Sequence, residues 1–107
     1  MRKTQNKLIR DRIPEIIQSA GQEYSVEVMA ETEFQQALRK KLIEEAQEAA
    51  ADSENLVQEL ADLYEVIDTL MATQQISREA VLIEQERRHS ERGGFTKRLK
   101  LIWSGAN

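Results

Sequence analysis

The sequence predicts an all-α fold: antiparallel helical hairpins that form a four-helix core on oligomerisation, with short extended segments near both termini. Three observations carry this. Between Lys41 and Leu70, two segments of helical apolar period lie on either side of a polar break at Asp52-Ser53. Helix start and stop signals punctuate the chain at Thr32-x-x-Gln35, Ser77 and Gly93-Gly94. The segment from about Glu54 to Gln74 is apolar over more than half its circumference, through Leu56/Leu60/Leu63/Ile67/Leu70 and Val57/Tyr64/Met71. One partner helix does not cover so wide a face, which asks for a second copy of the chain, at least a dimer.

Lys7-Leu8-Ile9-Arg10-Asp11-Arg12-Ile13-Pro14-Glu15-Ile16-Ile17 opens the fold. Asp11 reads as an N-cap, and Pro14 suits a first helical turn. Ile13, Ile16 and Ile17 give one apolar face, and Gly21 is a stop. Lys7, Arg10 and Arg12, at or before this helix start, are either phosphate contacts or an ordinary solvated lead-in. Tyr24, Val26 and Val28 alternate with Ser25 and Glu27, a short strand signal. The capping box Thr32-x-x-Gln35 starts a helix that runs to about Ala51. The second long helix follows, from about Glu54 to Gln74. Ser77 caps a third, from Arg78 to about Arg92, apolar at Ala80 to Ile83 and charged thereafter. His89, the only histidine, lies in that charged run and reads as solvated surface. Leu99, Leu101 and Trp103 alternate, a second weak strand signal that would pair with Tyr24 to Val28. Ser104 to Asn107 reads as a frayed end.

At 107 residues the chain is read as a single domain, 1–107. A chain this short buries a modest fraction of its surface and often gains core by oligomerising. Charged residues at 32% against 40% hydrophobic mark a globular chain. A net charge of −4 argues against nucleic acid as a partner. There is no cysteine, which excludes disulfides and thiolate metal sites. No apolar run follows Arg2 and Lys3, so no secretory signal is read, and no segment approaches a membrane span. A cytoplasmic location, away from membranes, is the expectation.

Five acids flank the polar break: Glu44, Glu45 and Glu48 before it, Glu59 and Asp62 after it. With Phe34 as zero on a helical wheel, Ala37, Leu38, Leu42, Ala46 and Ala49 define an apolar arc. Glu45 falls inside it at about 20°, Glu48 at about 320°, and Glu44 on its edge at about 280°. On the second helix Glu59 is flanked in azimuth by Leu63, Val66 and Leu70, with Asp62 one turn away at the edge. Counted from the break, Glu45 and Glu59 stand at nearly the same height. The plain alternative is a charge-rich surface hairpin, but these acids lie on the wrong face for it. Carboxylates in an apolar face cost several kcal/mol each or give up their charge. No Lys or Arg is expected in either arc to pair with them. A divalent cation resolves the conflict, and oxygen ligands alone suit Mg²⁺ or Mn²⁺.

The chain resembles the all-α nucleotide pyrophosphohydrolases, the MazG-like and phosphoribosyl-ATP pyrophosphohydrolase-like superfamily. Its signature, E-E-x-x-E followed by E-x-x-D on the next helix, stands here as Glu44-Glu45-Ala46-Gln47-Glu48 and Glu59-Leu60-Ala61-Asp62. The small stand-alone members begin K-L-x-R-D-x-I-P-E-I-I and end R-G-G-F, matched by Lys7 to Ile17 and by Arg92-Gly93-Gly94-Phe95. The resemblance implies Mg²⁺-dependent hydrolysis between the α and β phosphates of a nucleotide, releasing a monophosphate and pyrophosphate, as in house-cleaning of non-standard nucleotides. It places metal ligands at Glu45, Glu48, Glu59 and Asp62. Glu44 and Glu45 are the catalytic candidates, Glu44 holding a second ion or orienting the attacking water. Lys7, Arg10, Lys41 and Arg92 are the cations able to hold the outer phosphates. Small members are dimers or dimers of dimers, as the wide apolar helix also suggests.

Two departures matter. Only ten residues separate Glu48 from Glu59, which implies a tight turn. Phosphoribosyl-ATP pyrophosphohydrolases carry D-L-x-Y-H, whereas Asp62-Leu63-Tyr64 is followed here by Glu65, which weakens a role in histidine biosynthesis. The alternative reading is a non-catalytic helical interaction module on the same fold, which has no need of inward carboxylates. A di-iron carboxylate bundle wants two Glu-x-x-His pairs, and one histidine does not supply them.

Overall fold

A computed structural model describes residues 2–51 and 54–106. The expected turn at Asp52-Ser53, and Asn107 of the expected frayed end, lie outside the described residues. The described chain is all-α: α1 (Ile13–Ser19), α2 (Glu31–Ala51), α3 (Leu56–Thr73) and α4 (Arg78–Arg92). It divides into two compact units, Met1–Gln75 and Ile76–Asn107.

In the first unit, α1 starts one residue later than Asp11 would set it. The Ile13 N–H donates to the Arg10 carbonyl at 3.1 Å, closing a turn with Asp11 at its centre. Arg12 becomes the N-cap residue, with no side-chain cap bond. Pro14 sits in the first turn, as expected. At the other end Gly21 takes φ +76. The Gln22 N–H reaches the Ile17 carbonyl at 3.2 Å and the Gly21 N–H the Gln18 carbonyl at 3.0 Å, a Schellman stop.

The capping box is not formed. The Ala30 carbonyl accepts from the Phe34 N–H at 2.9 Å, so α2 begins at Glu31 and Thr32 falls inside its first turn. Gln35 finds other partners. Its amide donates to Glu31 Oε1 at 3.0 Å, while its Oε1 accepts from Gln74 Nε2 at 2.9 Å and Thr73 Oγ1 at 3.4 Å. Gln35 near the start of α2 thus meets the end of α3, and Glu45 and Glu48 further along meet Glu59. The two helices form an antiparallel hairpin, the one extensive helix–helix contact among the described residues.

The core between them is thin. Leu38 at 2% exposure and Val66 at 8% are the buried apolar side chains, helped by half-buried Phe34, Leu42, Leu63, Ile67 and Leu70. Ala46 lies exposed, outside the buried sector. On α3 the face toward α2 carries Leu63, Val66 and Leu70. A second apolar stripe, with Val57, Leu60 and Tyr64, stands roughly 120° or more around the helix from Val66 and is exposed. The width that the sequence suggests is real, and α2 covers only one side of it.

Neither strand signal produces a strand; there is none among the described residues. Tyr24, Val26 and Val28 are all exposed, as are Leu99, Leu101 and Trp103. Alternation specifies a strand only where one face is buried against a partner.

In the second unit α4 follows expectation. The Ala80 N–H donates to Ser77 Oγ at 3.0 Å. Gly93 ends the helix at φ +79, ψ −178, a region essentially reserved for glycine. His89 is exposed. Arg87 bridges Glu84 at 3.0 Å and Glu91 at 2.8 Å along one helix face, and it holds the Glu84 carboxyl below its ordinary range.

Candidate metal centre

The antiparallel pairing brings carboxylates of both helices together. Glu45 and Glu48, one turn apart on α2, and Glu59 on α3 each offer an oxygen within 4.8 Å of the others. Glu45 is 8% exposed, and its Oε2 is buried without a hydrogen-bond partner. Glu59 is half-buried. Glu48 is exposed, contrary to the inward placement its azimuth suggests. Its oxygen still reaches the other two.

The expected lack of cations in the two arcs is wrong on α2. Lys41 lies one turn before Glu45, at about 340° on the same wheel, inside the arc. Its Nζ stands 3.4 Å from Glu45 Oε1. Arg10 reaches from the segment before α1 to Asp62, Nη2 to Oδ1 at 2.8 Å. Asp62 therefore stands in an ion pair, outside the cluster of three.

One lysine does not balance three carboxylates at this spacing. At 4.8 Å two unit charges repel by roughly 3 kcal/mol at an effective dielectric near 20. Glu45 Oε2, buried without a hydrogen-bond partner, has a desolvation cost to recover. Hard oxygen donors, one of the residues carrying a buried oxygen without a hydrogen-bond partner, could hold a metal ion. Glu45, Glu48 and Glu59 are the residues able to hold such an ion.

Beside the cluster runs a groove of about 210 Å³. Asn6, Lys7 and Leu8 form one side of it, and α2 supplies Glu33, Lys40, Lys41 and Glu44. Two of the expected phosphate-binding cations, Lys7 and Lys41, and the catalytic candidate Glu44 thus share one concavity. Lys40 belongs with them and sequence reading missed it. Its i−1 position to Lys41 was no signal, because only the crossing of residues 6–8 turns that side of α2 into a groove wall. The remaining expected cation, Arg92, is the last residue of α4 in the second unit. The chain matches no family model, no curated protein and no solved structure.

Proposed function

We propose that the chain is a Mg²⁺-dependent nucleotide pyrophosphohydrolase, with Mn²⁺ an acceptable substitute. The observation that carries this is buried Glu45, whose Oε2 lacks a hydrogen-bond partner and which offers an oxygen within 4.8 Å of oxygens of Glu48 and Glu59. Supporting it is the lysine-lined groove next door, which offers cations to an anionic ligand.

In this reading Glu45, Glu48 and Glu59 hold the ion, and Asp62 joins them as a fourth ligand. The ion supplies neutralisation of phosphate charge. Lys7 and Lys41 take the outer phosphates in the groove, with Arg10 as a further cation. Glu44 or Glu45 accepts the proton of a water whose oxygen attacks the α phosphorus. The bond from that phosphorus to the bridging oxygen breaks, and pyrophosphate leaves with the bonding pair. The products are a nucleoside monophosphate and pyrophosphate, and the setting is the cytoplasmic nucleotide pool.

The same reading includes a second copy of the chain, as a dimer or a dimer of dimers. A hairpin with so few buried apolar side chains is a poor core for one chain. Leu60, Tyr64 and Val57 on the outer stripe of α3 offer the isologous face.

The test is a screen of nucleoside triphosphates with Mg²⁺, with products identified by phosphorus NMR. Pyrophosphate and a monophosphate are expected, with loss of turnover in Glu45→Gln, Glu48→Gln, Glu59→Gln and Asp62→Asn. A diphosphate with orthophosphate as main products would sink the mechanism, and undiminished variants would move the site elsewhere.

A further inference from the structure

We propose that Arg10 is a gate on the fourth metal ligand: Arg10 and a divalent cation compete for the carboxylate of Asp62. The inference rests on the metal-site reading above and deepens it. Asp62 lies one helical turn beyond Glu59 on α3, the spacing at which side chains on one helix become neighbours. Its oxygens are outside the group formed by Glu45, Glu48 and Glu59, and Arg10 Nη2 holds Oδ1 at 2.8 Å. The side chains of the pair are 57% and 33% exposed, so the bond is weak enough to exchange. A rotamer change at Asp62 trades the guanidinium for the ion.

The trade has a second half. Arg10 follows Lys7 on the segment whose Asn6, Lys7 and Leu8 wall the lysine groove. Released from Asp62, its guanidinium is a planar, forked donor two residues along the chain from Leu8 of the groove wall, with the geometry that suits phosphate oxygens. Whatever anion draws Arg10 away frees Asp62 for the ion, and the reverse holds by linkage. Metal and phosphate binding therefore favour each other through one ion pair. A plain structural staple between the leading segment and α3 predicts no such coupling.

The experiment is Mn²⁺ binding to the full chain, read by the electron paramagnetic resonance of free Mn²⁺ with no nucleotide present. Arg10→Gln removes the competitor and tightens binding by about two- to fivefold, the yield of an exposed pair. In an Asp62→Asn background the same substitution changes nothing. Arg10→Lys, which keeps charge but loses the fork, tightens it by less and serves if Arg10→Gln does not fold. Unchanged or weaker Mn²⁺ binding in Arg10→Gln, or in Arg10→Lys where that variant stands in, overturns the gate while leaving the metal site intact. A parent chain that binds no Mn²⁺ overturns both.

Discussion

Replacing Glu45 by glutamine should make the metal-free protein more stable, and the sign should reverse when Mg²⁺ is added. The terms follow from the cluster. Glu45 loses repulsion from Glu59 of roughly 3 kcal/mol, taken at 4.8 Å, within which their oxygens lie, and a dielectric near 20, and about 1 kcal/mol from the better-solvated Glu48. Against this, the Lys41 contact at 3.4 Å is weakened, at a cost of about 1 kcal/mol. The new amide donates to a neighbouring carboxylate, and imperfect geometry there costs about 1 kcal/mol more. The net is a gain of about 1–2 kcal/mol, or about 5–10 °C in melting temperature for a chain of this size. With Mg²⁺ at a hundred times its dissociation constant, the parent gains about 2.7 kcal/mol that the variant largely forgoes. The assay is urea unfolding followed by helical circular dichroism, in EDTA and in Mg²⁺, at one fixed protein concentration. A Glu45→Gln variant less stable than the parent in EDTA would refute the cluster electrostatics. Curves that do not cross on adding Mg²⁺ would refute the cation.

Two further outcomes are expected. Light scattering coupled to size exclusion at low micromolar concentration should give a mass above the 12.3 kDa of one chain, and Leu60→Glu with Tyr64→Glu should abolish that species; a stable, folded parent at the chain mass shows that the outer stripe of α3 needs no second copy. Gln75 takes φ +57 just past α3, where a left-handed side chain costs about 1–2 kcal/mol and glycine's extra chain entropy about half that. Gln75→Gly should therefore stabilise by up to about 1 kcal/mol in the same urea assay, and a destabilised variant would refute the strain argument.

Much of the helical layout is legible because amphipathic period runs along α2 and α3 and cap and stop residues mark the ends of α4. Ser77 and Gly21 act through backbone groups within a few residues, so their roles are local and readable. Asp11 and Thr32 carry the same kind of signal and fail. A turn centred on Asp11, and a helix start at Glu31 with Gln35 engaged by Thr73 and Gln74, place the would-be caps at the wrong backbone positions. A contact nearly forty positions away along the chain leaves no trace in a four-residue pattern. The acid cluster divides the same way. Glu45 and Glu59 are legible from azimuth and height. Arg10 on Asp62 is not, because it depends on the path of an irregular segment. Lys41 was legible on the wheel, and its neighbourhood to Glu45 follows from four-residue spacing alone. Gln75 leaves no sequence signal, since glycine or asparagine is the residue that marks such a stop.

The Gln35 bonds to Thr73 and Gln74 latch the hairpin at the end opposite Ala51 and Leu56, so an opening there acts on α2 as on a lever. Taking Ala51 as the fulcrum and 1.5 Å per residue, the latch lies about 24 Å out and Glu45 about 9 Å out. Prising the latch open by 1 Å moves the carboxylates apart by only about 0.4 Å. The acids sit on the short arm, where fraying of the long arm is geared down before it reaches them.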